Sequence, residues 1–175
     1  MKFYIETIDH NEQAYPTVGN WYNGKLWGED GGEVSVWSRH QAPFDTEKDT
    51  LIIRVSNVGD WRMEALVGIH ELVEAILCID KDITQKSVDE FDIAFEKARK
   101  EADLEGVYAA DGSRDDAHNF YFVGEILEMD AEPGDHPVAP YHIQHGYATA
   151  VERMLCAAMN IPWATYESRL KELDG

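Results

Sequence analysis

His70-Glu71-Leu72-Val73-Glu74 sets one imidazole and two carboxylates within little more than a single helical turn. Residues four apart on a helix share a face, roughly 5–6 Å apart at Cβ. His70 and Glu74 are therefore spaced to grip one metal ion, with Glu71 a step round the helix as the base that takes a proton from water. Leu66, Val67, Ile69, Leu72, Val73, Ile76 and Leu77 surround the group, so the helix is apolar over most of its circumference. Burying a histidine and two glutamates there is costly unless they are paired or hold a metal. The plainer alternative makes Glu71 and Glu74 a narrow solvent-facing stripe with His70 at its border.

A second constellation opens at Tyr141-His142-Ile143-Gln144-His145. His142 and His145 share a helical face, as do His145 and Glu152 two turns apart. Asp135 and His136 lie just upstream, and His118 is not far off. A helix N-terminus disfavours the imidazolium, which helps keep a histidine neutral and able to ligate. Together the two constellations supply the three protein ligands of a catalytic zinc: His70, Glu74, and either His142 or His145. Imidazole with carboxylate would also suit manganese or iron. Tyr141 is the candidate to stabilise a developing oxyanion. Asp89 and Asp92, three apart on another helix, either orient a ligating histidine or face solvent.

The elements that must position these groups divide the chain. Lys2 to Ile8 is rich in strand formers, Thr17 to Trp21 forms a short second piece, Glu33 to Ser38 alternates, and Thr50 to Ser56 reads as the most buried strand. Gly19, Gly24, Gly28, Gly31 and Gly32 punctuate turns. Gly59 and Asp60 end the strand region, and Asp60 is placed to cap the helix carrying His70. Ser87 with Glu90 has the spacing of a capping box for a helix running to about Ala102. Asp111 to Asp116 reads as an exposed loop and Tyr121 to Met129 as a short helix. Three prolines between Glu132 and Pro140 enforce irregular backbone. Helices follow from about Tyr141 to Met159 and, capped by Asn160 with Pro162 near its first position, to Leu173. The expectation is one α+β domain over residues 1–175, a small N-terminal antiparallel sheet packed against a C-terminal helical part, with residues 97–130 as an insertion.

The composition bounds the function. Of 175 residues, 44% are hydrophobic, enough for a folded core, and the chain carries 34 acidic against 15 basic side chains, a net charge of −19. Such a surface repels nucleic-acid phosphates, so direct DNA or RNA binding is disfavoured. It favours cations or cationic partners, and admits the further reading of a nucleic-acid mimic that fills the basic groove of another protein. No apolar run approaches the ~20 residues that cross a bilayer, and the first residues lack the layout of a secretion signal. Cys78 and Cys156 sit in apolar contexts and make no disulfide framework, which suits a reducing cytoplasm.

Gly59-Asp60-Trp61-Arg62, His70 to Ala75, Phe91-Asp92, Pro133-Gly134-Asp135-His136-Pro137 and Ala139-Pro140-Tyr141-His142, with His145, Glu152 and the earlier Tyr15-Pro16-Thr17-Val18-Gly19, resemble a family of uncharacterised phage and prophage proteins. The resemblance covers most of the chain outside residues 97–130, and implies a bacterial host cytoplasm and an accessory or counter-defence role. Locally, His70 and Glu71 resemble the zincin metalloprotease motif His-Glu-x-x-His, from which Glu74 departs. The expectation is a metal-dependent, zincin-like hydrolase acting on a protein or peptide substrate, with Glu71 as base and zinc at His70, Glu74 and His142 or His145. The alternatives are an acidic protein that inhibits a host factor and a structural metal-binding protein.

Overall fold

The computed structural model describes residues 2–23, 50–105 and 119–174. The strand expected over Glu33 to Ser38, the turns at Gly24, Gly28, Gly31 and Gly32, the loop Asp111 to Asp116 and His118 lie outside the described residues.

Leu51, Ile52, Ile53 and Val55 are all at most 5% exposed, as a strand covered on both faces must be. They belong to β3 (Thr50–Ser56), the centre of a three-stranded sheet between β1 (Lys2–Ile8) and β2 (Gly19–Asn23). The α+β architecture is as expected, and the sheet is mixed. β2 runs antiparallel to β3 with Gly19 opposite Val55, whereas β1 runs parallel to it from Lys2 opposite Thr50 to Ile8 opposite Ser56. A salt bridge of 2.7 Å between Glu6 and Arg54, opposite one another in register, joins the parallel pair.

Helix α1 (Trp61–Asp80) begins where expected: the Asp60 carboxylate accepts a hydrogen bond from the Arg62 amide at 3.0 Å. It buries Met63, Leu66, Val67, His70, Glu74, Ala75 and Cys78 against the sheet and against α3 (His142–Ala158). Helix α2 (Gln85–Glu105) starts two residues before Ser87. Its cap is Thr84, whose hydroxyl accepts from the Ser87 amide at 3.2 Å, while the Ser87 hydroxyl donates to the Thr84 carbonyl at 2.7 Å. Helix α4 (Trp163–Asp174) closes the chain. Asn160 does not cap it; with φ of 56° it ends α3 in the left-handed region, and the Pro162 carbonyl accepts from Thr165 and Tyr166 to start α4.

The helix expected over Tyr121 to Met129 is a hairpin, β4 (Asn119–Phe122) with β5 (Glu125–Glu128). Val123 and Gly124 take φ of 48° and 91°, the two-residue turn that matches strand twist. The hairpin is held by rings: Phe95 of α2 meets Phe120 and Phe122 edge-on, with centroids 5.0 and 5.1 Å apart. A short 3-10 turn, Pro133–Asp135, then leads into α3. Cys78 and Cys156 are both buried free thiols. Among the described residues, no helix is long and apolar enough to cross a membrane.

Candidate metal centre

His70 and Glu74 face α3 from one side of α1, and the first turn of α3 turns His145 back at them. All three are at most 9% exposed. Glu74 Oε2 lies 3.7 Å from His70 Nε2 and 3.2 Å from His145 Nδ1. The His70 and His145 rings meet edge-on with centroids 4.8 Å apart. Ligands about 2.1 Å from one tetrahedral ion stand roughly 3.4 Å from one another, so these two edges fit a shared ion. The set His70, Glu74, His145 can therefore hold a metal.

Each histidine is backed by carboxylate. Glu152 Oε2 lies 3.0 Å from His70 Nδ1. A carboxylate only accepts, so Nδ1 carries the proton and Nε2 is left to ligate, which is how an outer carboxylate fixes a ligand's tautomer. Glu152 is itself held by a short hydrogen bond from the buried Tyr166 hydroxyl. The other oxygen of Glu74 accepts from the Trp21 indole N–H at 3.2 Å. His145 Nε2 faces Glu132 at 3.4 Å and Asp135 at 3.7 Å.

Two glycines make room for this. A Cβ on Gly134 would stand 2.3 Å from His145 Cγ, so the imidazole packs directly on the backbone of the turn before α3. A Cβ on Gly19, at the start of β2, would stand 2.5 Å from a carboxylate oxygen of Glu71. Glu71 is thus pressed against the strand and beside the ligand group. These walls belong to a cavity of about 890 Å³, lined by Trp21, His70, Glu71, Glu74, Tyr141 and His145 among others.

Without an ion, protons take its place. Burial works against charge on His70, but its bonds to Glu152 and Glu74 prevail and raise its pKa well above the usual value. His145 is likewise opposed by burial yet raised to about 9 by Glu132 and Glu74. Burial also opposes ionisation of Glu74, but hydrogen bonds from His145 and His70 bring it down to about 2. Glu71, with no such donor among the described residues, is pushed up to about 8 by burial and then by the charge of Glu74.

The structure separates the other expected site residues from this group. His142 lies outside the group of His70, Glu74 and His145; half-buried, its Nδ1 sits 3.0 Å from the Gly134 carbonyl, which it braces. Tyr141 lines the cavity, but its buried hydroxyl is committed to a short bond with Asp92, so it has no free donor for an oxyanion. Asp92 also accepts from the Tyr15 hydroxyl at 3.1 Å, and Asp89 accepts from Gln85 at 3.2 Å. Neither aspartate bonds a histidine among the described residues; Asp92 is buried and Asp89 half-buried, and burial raises both to about 7. His136 packs among Phe91, Phe95 and Phe122. Glu152 carried a signal in its helical spacing from His145. Trp21, Tyr166 and Glu132 carried none, because only chain folding brings them to the centre. Comparison with protein-family models, with curated proteins and with solved structures returns no match.

Proposed function

We propose that the chain is a metal-dependent hydrolase, with one divalent ion held by His70, Glu74 and His145 and with Glu71 as its general base. The observation that carries this reading is the spacing of Glu74 Oε2 from a nitrogen of His70 and of His145, 3.7 and 3.2 Å, near the edge of a coordination tetrahedron, in the wall of a cavity large enough for a substrate. Two imidazoles and one glutamate form a known catalytic zinc set that leaves a position open; manganese and iron suit it too. A bound ion would acidify water and polarise a carbonyl oxygen.

The remaining work falls to the chain's own residues. Glu152, fixed by Tyr166, holds the His70 proton on Nδ1. Trp21 occupies one oxygen of Glu74 and leaves the other facing both histidines. Glu71, beside this group and short of hydrogen-bond donors, has the raised proton affinity a base requires. A protein or peptide substrate, a phage or prophage origin and the cytoplasm of a bacterial host belong to the same proposal, and rest on the His-Glu-x-x-Glu segment and the motifs around it.

A structural metal site is the second reading, favoured by the fact that the ligands join α1 to α3 over a sequence separation of 71 from Glu74 to His145. Protein purified without a histidine tag and analysed for metal tests both. About one equivalent or more is expected, and less than about a tenth, with none taken up on addition, overturns both. Glu71→Gln then separates them. It should keep the metal and abolish cleavage of a mixed peptide library by an enzyme, whereas a metal-replete wild-type chain that cleaves nothing in the library leaves the structural reading.

A further inference from the structure

The outer nitrogen of His145 faces two carboxylates without a hydrogen bond to either. Nε2 is buried and makes no hydrogen bond, although the residue is only 7% exposed. Glu132 Oε2 and Asp135 Oδ1 stand 3.4 and 3.7 Å from it. An N–H···O bond spans about 2.7–3.2 Å, so both are too long for that, yet both lie near the roughly 3.4 Å between ligands that share an ion. Ligand atoms of the three residues lie within 4.8 Å of one another. Glu132 and Asp135 stand at the N-cap and the last residue of the 3-10 turn Pro133–Asp135, whose backbone Pro133 constrains.

We propose that Glu132, Asp135 and His145 Nε2 form a second divalent-cation site, so that the His145 imidazole bridges two ions. The inference shares His145 with the proposed metal centre and rests on that reading. The inner ion takes the Nδ1 lone pair. The outer ion takes the electron pair released when Nε2 gives up its proton to solvent, so the ring becomes an imidazolate and one proton leaves for each outer ion bound. Two carboxylates with one imidazole suit zinc or manganese. The Glu132 and Asp135 side chains are 56% and 70% exposed, so the outer ion keeps water ligands and exchanges with solvent more readily than the inner one.

Calorimetric titration of the chelator-treated full chain with Zn²⁺ tests this, run in two buffers of different ionisation enthalpy. The expected result is two binding steps, the weaker releasing about one proton per ion from Nε2. The doubly substituted E132Q/D135N chain, altered only at exposed positions, should keep the tight step, weakened by no more than about 10- to 100-fold as His145 loses its backing carboxylates, and lose the weaker step altogether. A single step that E132Q/D135N leaves unchanged overturns the second site while the inner centre stands. A second step that survives in E132Q/D135N also overturns it. No binding at all overturns the inner centre with it.

Discussion

Gly134→Ala isolates the fit of one ligand from the chemistry of all the others. The added methyl carbon would lie 2.3 Å from His145 Cγ, 2.4 Å from Nδ1 and 2.8 Å from Cδ2. Carbon atoms in good contact stand about 3.5 Å apart, so the ring or the turn must yield by about 1.2 Å. Gly134 is not among the positive-φ glycines, so alanine can take its backbone conformation and the clash is the whole perturbation. A move of that size takes Nδ1 out of register with Glu74 Oε2, now 3.2 Å away. Disturbing the support of a metal ligand typically costs about 10- to 100-fold in affinity, and the same loss is expected for Zn²⁺ here. Overpacking costs roughly 1–3 kcal/mol, offset by the stiffer unfolded chain that alanine gives. Competition against a chromophoric chelator measures the affinity, and thermal melts in chelator measure the fold. A Gly134→Ala chain that binds Zn²⁺ as tightly as the parent would refute the reasoning that His145 ligates from its place against this turn.

Glu152→Gln keeps the shape behind His70 but removes the charge that holds its Nδ1 proton; Zn²⁺ affinity should fall about 10- to 100-fold, and an unchanged value in the same competition assay sinks the backing role. Metal-free stability should depend on pH in an unusual sense. His145, raised to about 9 from 6.5, contributes fully below pH 6.5 and loses its contribution as pH rises through 9. Glu71, raised from 4.5 to about 8, and Asp89 and Asp92, raised from 3.8 to about 7, act in the same direction. Glu74, lowered from 4.5 to about 2, acts oppositely and is lost only in stronger acid. The Tm in chelator should therefore be highest at mildly acid pH and fall toward pH 9, by roughly 2–4 °C for each kcal/mol lost. A Tm that rises over that interval contradicts the assignment.

What the sequence made legible was local in its physics. Spacing four along an apolar helix put His70 and Glu74 on one face, and Asp60 announced the start of that helix. The third member of the group could be narrowed only to His142 or His145, since the choice depends on how α3 is rotated against α1, which no short-range pattern records. Thr84 and Ser87 are both hydroxyl residues three apart, and the hydroxyl that caps is the one outside the first turn. Tyr121 to Met129 hid a hairpin because its turn places a β-branched residue, Val123, at positive φ, where such a residue is uncommon. Glu152, Trp21, Tyr166 and Glu132 reach the centre from four different elements or loops, and their roles exist only once those parts have packed.

The order of the sheet also has a consequence for how the chain is made. β3 is its middle strand but the last of the three to leave the ribosome, and β1 pairs with it 48 residues after its own start, Lys2 against Thr50. Among the described residues, β1 and β2 do not pair with each other. Among the described strands, neither therefore meets its partner until β3 emerges. Closing contacts that distant in sequence slows folding and lengthens exposure to self-association. Among the described strands β1 stands at the sheet edge with Phe3 and Ile5 more than half exposed, the kind of edge that invites pairing with another chain.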